Sequence, residues 1–172
     1  RVNYKNLWDV PSIDILGDST ENVVEIMKQQ AQYLKEGTNG KVLGKFSKIK
    51  NVMAHIAGLA AALSTEISDD TEINKLSDAN TLYRSQWYGF EIYNKTYKFR
   101  IFEMNLSPLY PISLMFDEGI LEDTRENLSY CTEKGSTDTT FIIKSDDDLL
   151  ECLKIIFSSK KVKYILYRLQ QA

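Results

Sequence analysis

The side chains able to do chemistry are few and poorly grouped. His55 is the one histidine, set in Met53-Ala54-His55-Ile56-Ala57 with no carboxylate or cysteine at ligand spacing. Zinc hydrolases and deaminases need His-Glu-x-x-His, or His-x-Glu with paired cysteines, because the metal takes several nitrogen or sulfur ligands while a glutamate moves the proton. Neither pattern occurs, so His55 reads as a structural side chain. Gly-x-Ser-x-Gly is missing, and a Ser-His-Asp triad would have to recruit His55 from an Ala-rich run. The Asp-x-Lys or Glu-x-Lys spacing of restriction-type nucleases is also missing.

Two further patterns resemble sites and fail on closer reading. Gly37-Thr38-Asn39-Gly40-Lys41 has the glycines and lysine of a phosphate loop, but Val42 stands where Ser or Thr is needed. Its order is also helix then strand, so no helix N-terminus faces the loop; a helix C-cap and turn is the better reading. Acidic clusters occur at Asp69-Asp70-Thr71-Glu72, Asp117-Glu118, Glu122-Asp123 and Asp146-Asp147-Asp148. The first reads as a solvated loop and the last as a helix cap. The middle two lack calcium-loop spacing. No metal and no cofactor is expected.

Composition points the same way. The chain has 172 residues, 43% hydrophobic and 26% charged, with a net charge of −3. That length suits one domain with a real core, and the composition excludes wholesale disorder. A negative net charge argues against a general nucleic-acid binder, whose affinity rests on clustered cations. Ten tyrosines stand beside two cysteines, Cys131 and Cys152, which sit in apolar patterns and read as buried free thiols. A preceding piece is allowed for, since Arg1 is not an initiator methionine, and no signal-peptide hydrophobic region is visible. The apolar stretch from Val52 to Leu63 is too short to span a bilayer. A cytoplasmic protein without membrane contact is expected.

The elements that must position any site follow from periodicity. Residues 1–18 form an irregular lead-in. Ser19 or Thr20 then caps a helix running to Glu36 and ending at Gly37, with Val23, Val24, Met27, Ala31 and Leu34 on one face. Lys41–Lys50 reads as a strand and Asn51–Leu63 as a buried helix, while 64–81 is polar and the best candidate for a flexible loop. Gln86–Met104 reads as a hairpin turning on Asn94-Lys95, with Tyr93 opposite Thr96. This register places Tyr88, Phe90, Ile92, Tyr97, Phe99 and Ile101 on a core face. It leaves Trp87, Glu91, Lys98, Arg100 and Phe102 on the other. Tyr33 is also expected to face the core.

Further strands are expected at Ile112–Phe116, Leu128–Thr132 and Thr139–Lys144, with an acidic connection from Asp117 to Glu126. Ser145 caps a helix whose apolar stripe ends at Phe157. Ser158-Ser159 breaks it, and a last helix buries Val162, Ile165, Leu166 and Leu169. The expected fold is a single α+β domain over 1–172: an antiparallel sheet of about five strands with N- and C-terminal helices on one face.

Three stretches carry a resemblance: Lys28–Leu34, then Tyr97–Phe102 with Tyr110-Pro111, then Leu153–Lys161. They resemble small bacterial proteins of no assigned function. That resemblance implies a compact bacterial cytosolic protein and brings no catalytic residue with it.

Two surfaces survive as candidate binding sites. One is the outer hairpin face, Trp87, Glu91, Lys98, Arg100 and Phe102, with Glu103 nearby in sequence but on the opposite alternation. The second is the face of the last helix carrying Lys160, Lys161, Lys163, Tyr164, Tyr167 and Arg168. The expected function is a non-enzymatic accessory or regulatory protein that contacts another macromolecule, first of all a protein partner. A nucleic-acid role through the basic and tyrosine-bearing helix ranks second. A small-substrate hydrolase using carboxylates and Arg100 ranks third.

Overall fold

The computed structural model describes residues 18–49 and 85–172. The lead-in before Asp18, the Ala-rich segment with His55 and the polar 64–81 stretch lie outside the described residues. Helix α1 spans Val23–Gly37 and strand β1 Leu43–Lys48. Strands β2 (Gln86–Tyr93), β3 (Lys98–Leu106) and β4 (Ile112–Phe116) follow. Two single-turn helices, α2 (Glu118–Leu121) and α3 (Arg125–Leu128), lead to β5 (Glu133–Lys134) and β6 (Thr140–Ile143). Helices α4 (Asp146–Phe157) and α5 (Lys160–Gln171) close the chain.

The fold is α+β, and the six strands among the described residues pair in the order β1-β2-β3-β4-β6-β5, antiparallel throughout. Where a strand is expected at Leu128–Thr132, the chain turns helically instead. Thr132 Oγ1 and N–H both donate to the Leu128 carbonyl, and pairing is deferred to Glu133–Lys134. The acidic connection before it is α2 and α3 rather than plain loop. Asp117 caps the first of these by accepting from the Gly119 N–H at 2.8 Å.

Side chains of α1, α4 and α5 share one core with a single face of the sheet. Val23 and Met27, Leu149, Leu153 and Ile156, and Val162 and Leu169 bury against Phe90, Ile92, Phe102, Leu114, Phe116 and Ile143. Period-3.6 stripes meet period-2 alternation, as amphipathic elements require. The helix break works as the serines suggest: Ser145 accepts from the Asp148 N–H and Ser159 from the Val162 N–H, each at a helix N-cap. Helix α1 begins later than expected. Thr20 Oγ1 donates to the Ser107 carbonyl, and the N-cap is Asn22, whose side chain makes no capping bond. The turn after α1 does use positive φ, at Asn39 (51°) and Gly40 (75°).

The hairpin departs furthest from expectation. Its turn is wider, with the Asn94 N–H donating to the Tyr97 carbonyl, and Tyr93 pairs with Lys98 rather than Thr96. Asn94 Oδ1 accepts from the Thr96 and Tyr97 N–H groups at 2.8 and 2.7 Å. Its Nδ2 reaches 2.9 Å to the Leu169 carbonyl at the end of α5. A two-residue turn would forfeit that set. Farther along, Glu91 pairs with Arg100 but Phe90 with Phe102, so Ile101 is the extra residue of a β-bulge.

The bulge resets the alternation of β3. Phe102, expected outside, is 0% exposed in the core, its ring centroid 5.6 Å from Phe90 and 5.9 Å from Phe116. Glu103 takes the opposite face instead. Tyr97 is 63% and Tyr33 60% exposed, so neither is a core residue. Tyr97 belongs to the turn, and Tyr33 lies at the edge of the α1 stripe. Tyr88 keeps its expected face and stacks on Phe46 at 4.9 Å.

Candidate functional site

Of the expected outer hairpin face, the structure keeps Trp87, Glu91, Lys98 and Arg100, removes Phe102 and adds Glu103. Glu91 stands between two cations, with Lys98 Nζ and Arg100 Nη2 each 3.1 Å from its carboxylate. Arg100 Nη1 donates to Glu103 Oε1 at 2.8 Å. The second of these carboxylates is fully buried and Met115 beside it is 2% exposed, so the centre of this face is not open surface. Trp87 lies two residues along, opposite Asn105, outside the ion pairs.

This arrangement ties β2 to β3 through charged side chains. Burial pushes the Glu91 carboxyl up, but hydrogen bonds and charge from Lys98 and Arg100 outweigh it and hold the carboxyl below its ordinary value. Burial alone would lower the Arg100 value, and the bonds to Glu103 and Glu91 raise it instead. Both shifts deepen ionisation at neutral pH. A general acid needs the reverse, a carboxyl raised toward neutrality.

The second expected surface, on α5, also divides. Lys161 is engaged, its Nζ 2.8 Å from Asp117 Oδ1 and 5.9 Å from the Phe99 ring centroid. It pins α5 to α2 and to the hairpin. At Asp117, burial raises the carboxyl value, while Lys161 and the N–H groups of Gly119 and Ile120 outweigh it and lower the value.

An acid test follows from these two carboxylates. Both are depressed in the folded chain, so their stabilisation is full above the ordinary values of 4.5 for Glu91 and 3.8 for Asp117. It is lost as the pH falls below those values and through the folded ones. Urea midpoints measured from pH 6 down to pH 2 should therefore decline. The Asp117→Asn variant should start lower and decline less steeply.

Lys160, Lys163, Tyr164, Tyr167 and Arg168 are all exposed, with the tyrosines at 62% and 60%. Tyr164 and Arg168 join Tyr97, Lys98 and Phe99 along a groove of about 570 Å³ between the hairpin tip and α5. The two expected surfaces thus meet, through Lys98 on one side and Tyr164 and Arg168 on the other. Tyr97 is the residue that sequence reasoning missed, because a two-residue turn would have sent it to the core. The Asn94 side chain was the available signal, since an Asx-type turn favours a wider loop.

Helix α5 carries four cations and no acid, within a chain of net charge −3. Three of the cations, Lys160, Lys161 and Lys163, lie in or next to its first turn, where the helix dipole favours negative charge. Only Lys161 has a carboxylate partner among the described residues. Helix stability does not account for the other two.

Elsewhere, Cys131 and Cys152 are free thiols in contact, the first half-buried and the second buried. The hydrogen bond with Cys131, together with burial, pushes the Cys152 thiol up. Among the described residues no group of three or more His, Cys, Asp or Glu side chains converges as metal ligands. No described helix is long and apolar enough to cross a membrane. Comparison of the chain with protein-family models, curated proteins and solved structures finds no match.

Proposed function

We propose that the chain is a non-enzymatic binding module of the bacterial cytoplasm, an accessory or regulatory protein whose partner is another protein presenting an acidic surface. The observation that carries this reading is the groove where exposed Tyr97 and Tyr164 stand beside Lys98 and Arg168, continued by Tyr167 and Lys163 on α5. Tyrosine and arginine are the side chains that anchor protein interfaces, and tyrosine offers large contact area with little rotamer entropy to lose. Uncompensated cations on α5 select for acidic partners and speed their encounter. The carboxylate–Arg100 cluster supports strand locking, which is why a hydrolase ranks below a binding module.

A nucleic-acid partner is the second reading, because tyrosines interleaved with cations also stack bases and track phosphates. Affinity capture from a bacterial lysate, with and without nuclease treatment, separates the two. The expected result is a protein retained by the parent chain after nuclease treatment and lost when Tyr164→Ala and Arg168→Glu are combined. Loss on nuclease treatment alone would transfer the reading to nucleic acid. An identical captured set with the double variant would overturn both.

A further inference from the structure

The helical layer leaves an opening beside α5. Helix α1 is drawn down onto β1 because Gly44 has no side chain; a Cβ there would stand 3.0 Å from Ala31 Cβ and 3.2 Å from Phe90 Cζ. Helix α5 is held elsewhere, by Lys161 on Asp117 and by Asn94 on the Leu169 carbonyl. Between the two helices and the sheet lies a cavity of about 160 Å³ walled by Leu34, Phe90, Ile92, Phe157, Val162 and Leu166. Close-packed interiors leave few voids larger than one water, and apolar walls give a water no partners. The space is not filled by side chains, and its apolar inner walls offer a water no hydrogen-bonding partner.

We propose that this cavity binds a small apolar molecule of single-ring size, a benzene or phenol derivative in class. Apolar cavities of about 150 Å³ accept a benzene ring, whereas drug-sized ligands need about 300 Å³ or more. Two walls are aromatic: the Phe90 and Phe157 rings lie 5.6 Å apart at an interplanar angle of 42°. Offset and edge contacts with a guest ring suit such a pair. The cavity also has a polar edge, lined by half-buried Gln30 and by Tyr33, which is 60% exposed and marks the mouth. One hydroxyl on the ring would find a hydrogen-bonding partner there, and a charged group deeper in would find none. The site is distinct from the partner groove, which uses the opposite side of α5 through Tyr164 and Arg168.

Methyl NMR of the whole chain titrated with toluene and with p-cresol tests this. Saturable shifts are expected at Leu34, Ile92, Val162 and Leu166, with p-cresol binding more tightly because its hydroxyl reaches the polar edge. Leu166→Phe fills the space and should weaken binding by about tenfold or more without lowering the unfolding temperature. Val162→Ile, a one-methylene intrusion, should weaken it to a smaller degree and serves as the variant should Leu166→Phe not fold. Shifts that never saturate, or affinity unchanged in the folded variant, would overturn the proposal.

Discussion

Replacing Phe102 with alanine is expected to cost about 3–5 kcal/mol of folding stability, seen as a lower urea midpoint with an unchanged slope. The ring is 0% exposed and joins a chain of aromatic contacts, with Phe90 on one side and Phe116 on the other. Truncation loses the transfer free energy of the ring and leaves a void in the centre of the sheet, at the junction of β2, β3 and β4. The neighbours cannot collapse into it, because each belongs to a strand paired on both sides. A cost under about 1 kcal/mol, typical of a surface substitution, would mean that Phe102 faces outward and the bulge at Ile101 is absent. Phe102→Leu, which keeps most of the volume, should recover most of the loss.

The second large effect concerns Glu103. Removing its carboxylate with Glu103→Ala takes away the 2.8 Å partner of Arg100 on a face where the glutamate itself is fully buried. Breaking a buried ion pair from one side costs about 3–5 kcal/mol, because the surviving charge has been desolvated without compensation. Arg100 is 31% exposed and keeps Glu91 at 3.1 Å, so about 2–3 kcal/mol is the expected value here. Lys98→Ala is the control. Its side chain is 62% exposed, and loss of its bond to Glu91 should cost under about 1 kcal/mol. Equal effects of the two substitutions would show that Glu103 is solvated and that the cluster does not lock the strands.

These two residues also show where sequence reading reached its limit. The hairpin itself was legible, since Gln86–Tyr93 and Lys98–Leu106 are rich in aromatic and apolar strand formers and Asn94 marks the turn. Its inner logic was not. A strict two-residue turn pairs Glu91 with Lys98 and leaves Phe102 outside. The structure pairs Glu91 with Arg100 and buries Phe102. Two shifts account for the difference. One is the wider turn, held by an Asn94 amide that reaches a carbonyl in α5, and the other is the single-residue bulge at Ile101. Neither is encoded by alternation, because an inserted residue in a strand of mixed pattern leaves every short window readable in both registers.

The candidate groove has the same history. Each of its walls is legible alone, Lys98 from hairpin alternation and Tyr164 with Arg168 from helical spacing. Their meeting depends on how α5 crosses the hairpin tip, a contact between segments far apart in the chain. Helical spacing alone places Lys161 on the free basic face. Asp117, more than forty residues earlier, withdraws it from that face.

Local pattern was sufficient for the α+β class, the helix cap at Ser145, the break at Ser158-Ser159, and the lack of any familiar catalytic motif. Each depends on neighbours within a turn or two, where backbone preference and side-chain spacing act directly. Six strands among the described residues rather than five, the bulge, the buried Glu103, the exposed Tyr97 and the cavity beside α5 came from packing between distant segments. Those features are settled by which long-range contacts outweigh a local preference, and that competition is fought only in the assembled core.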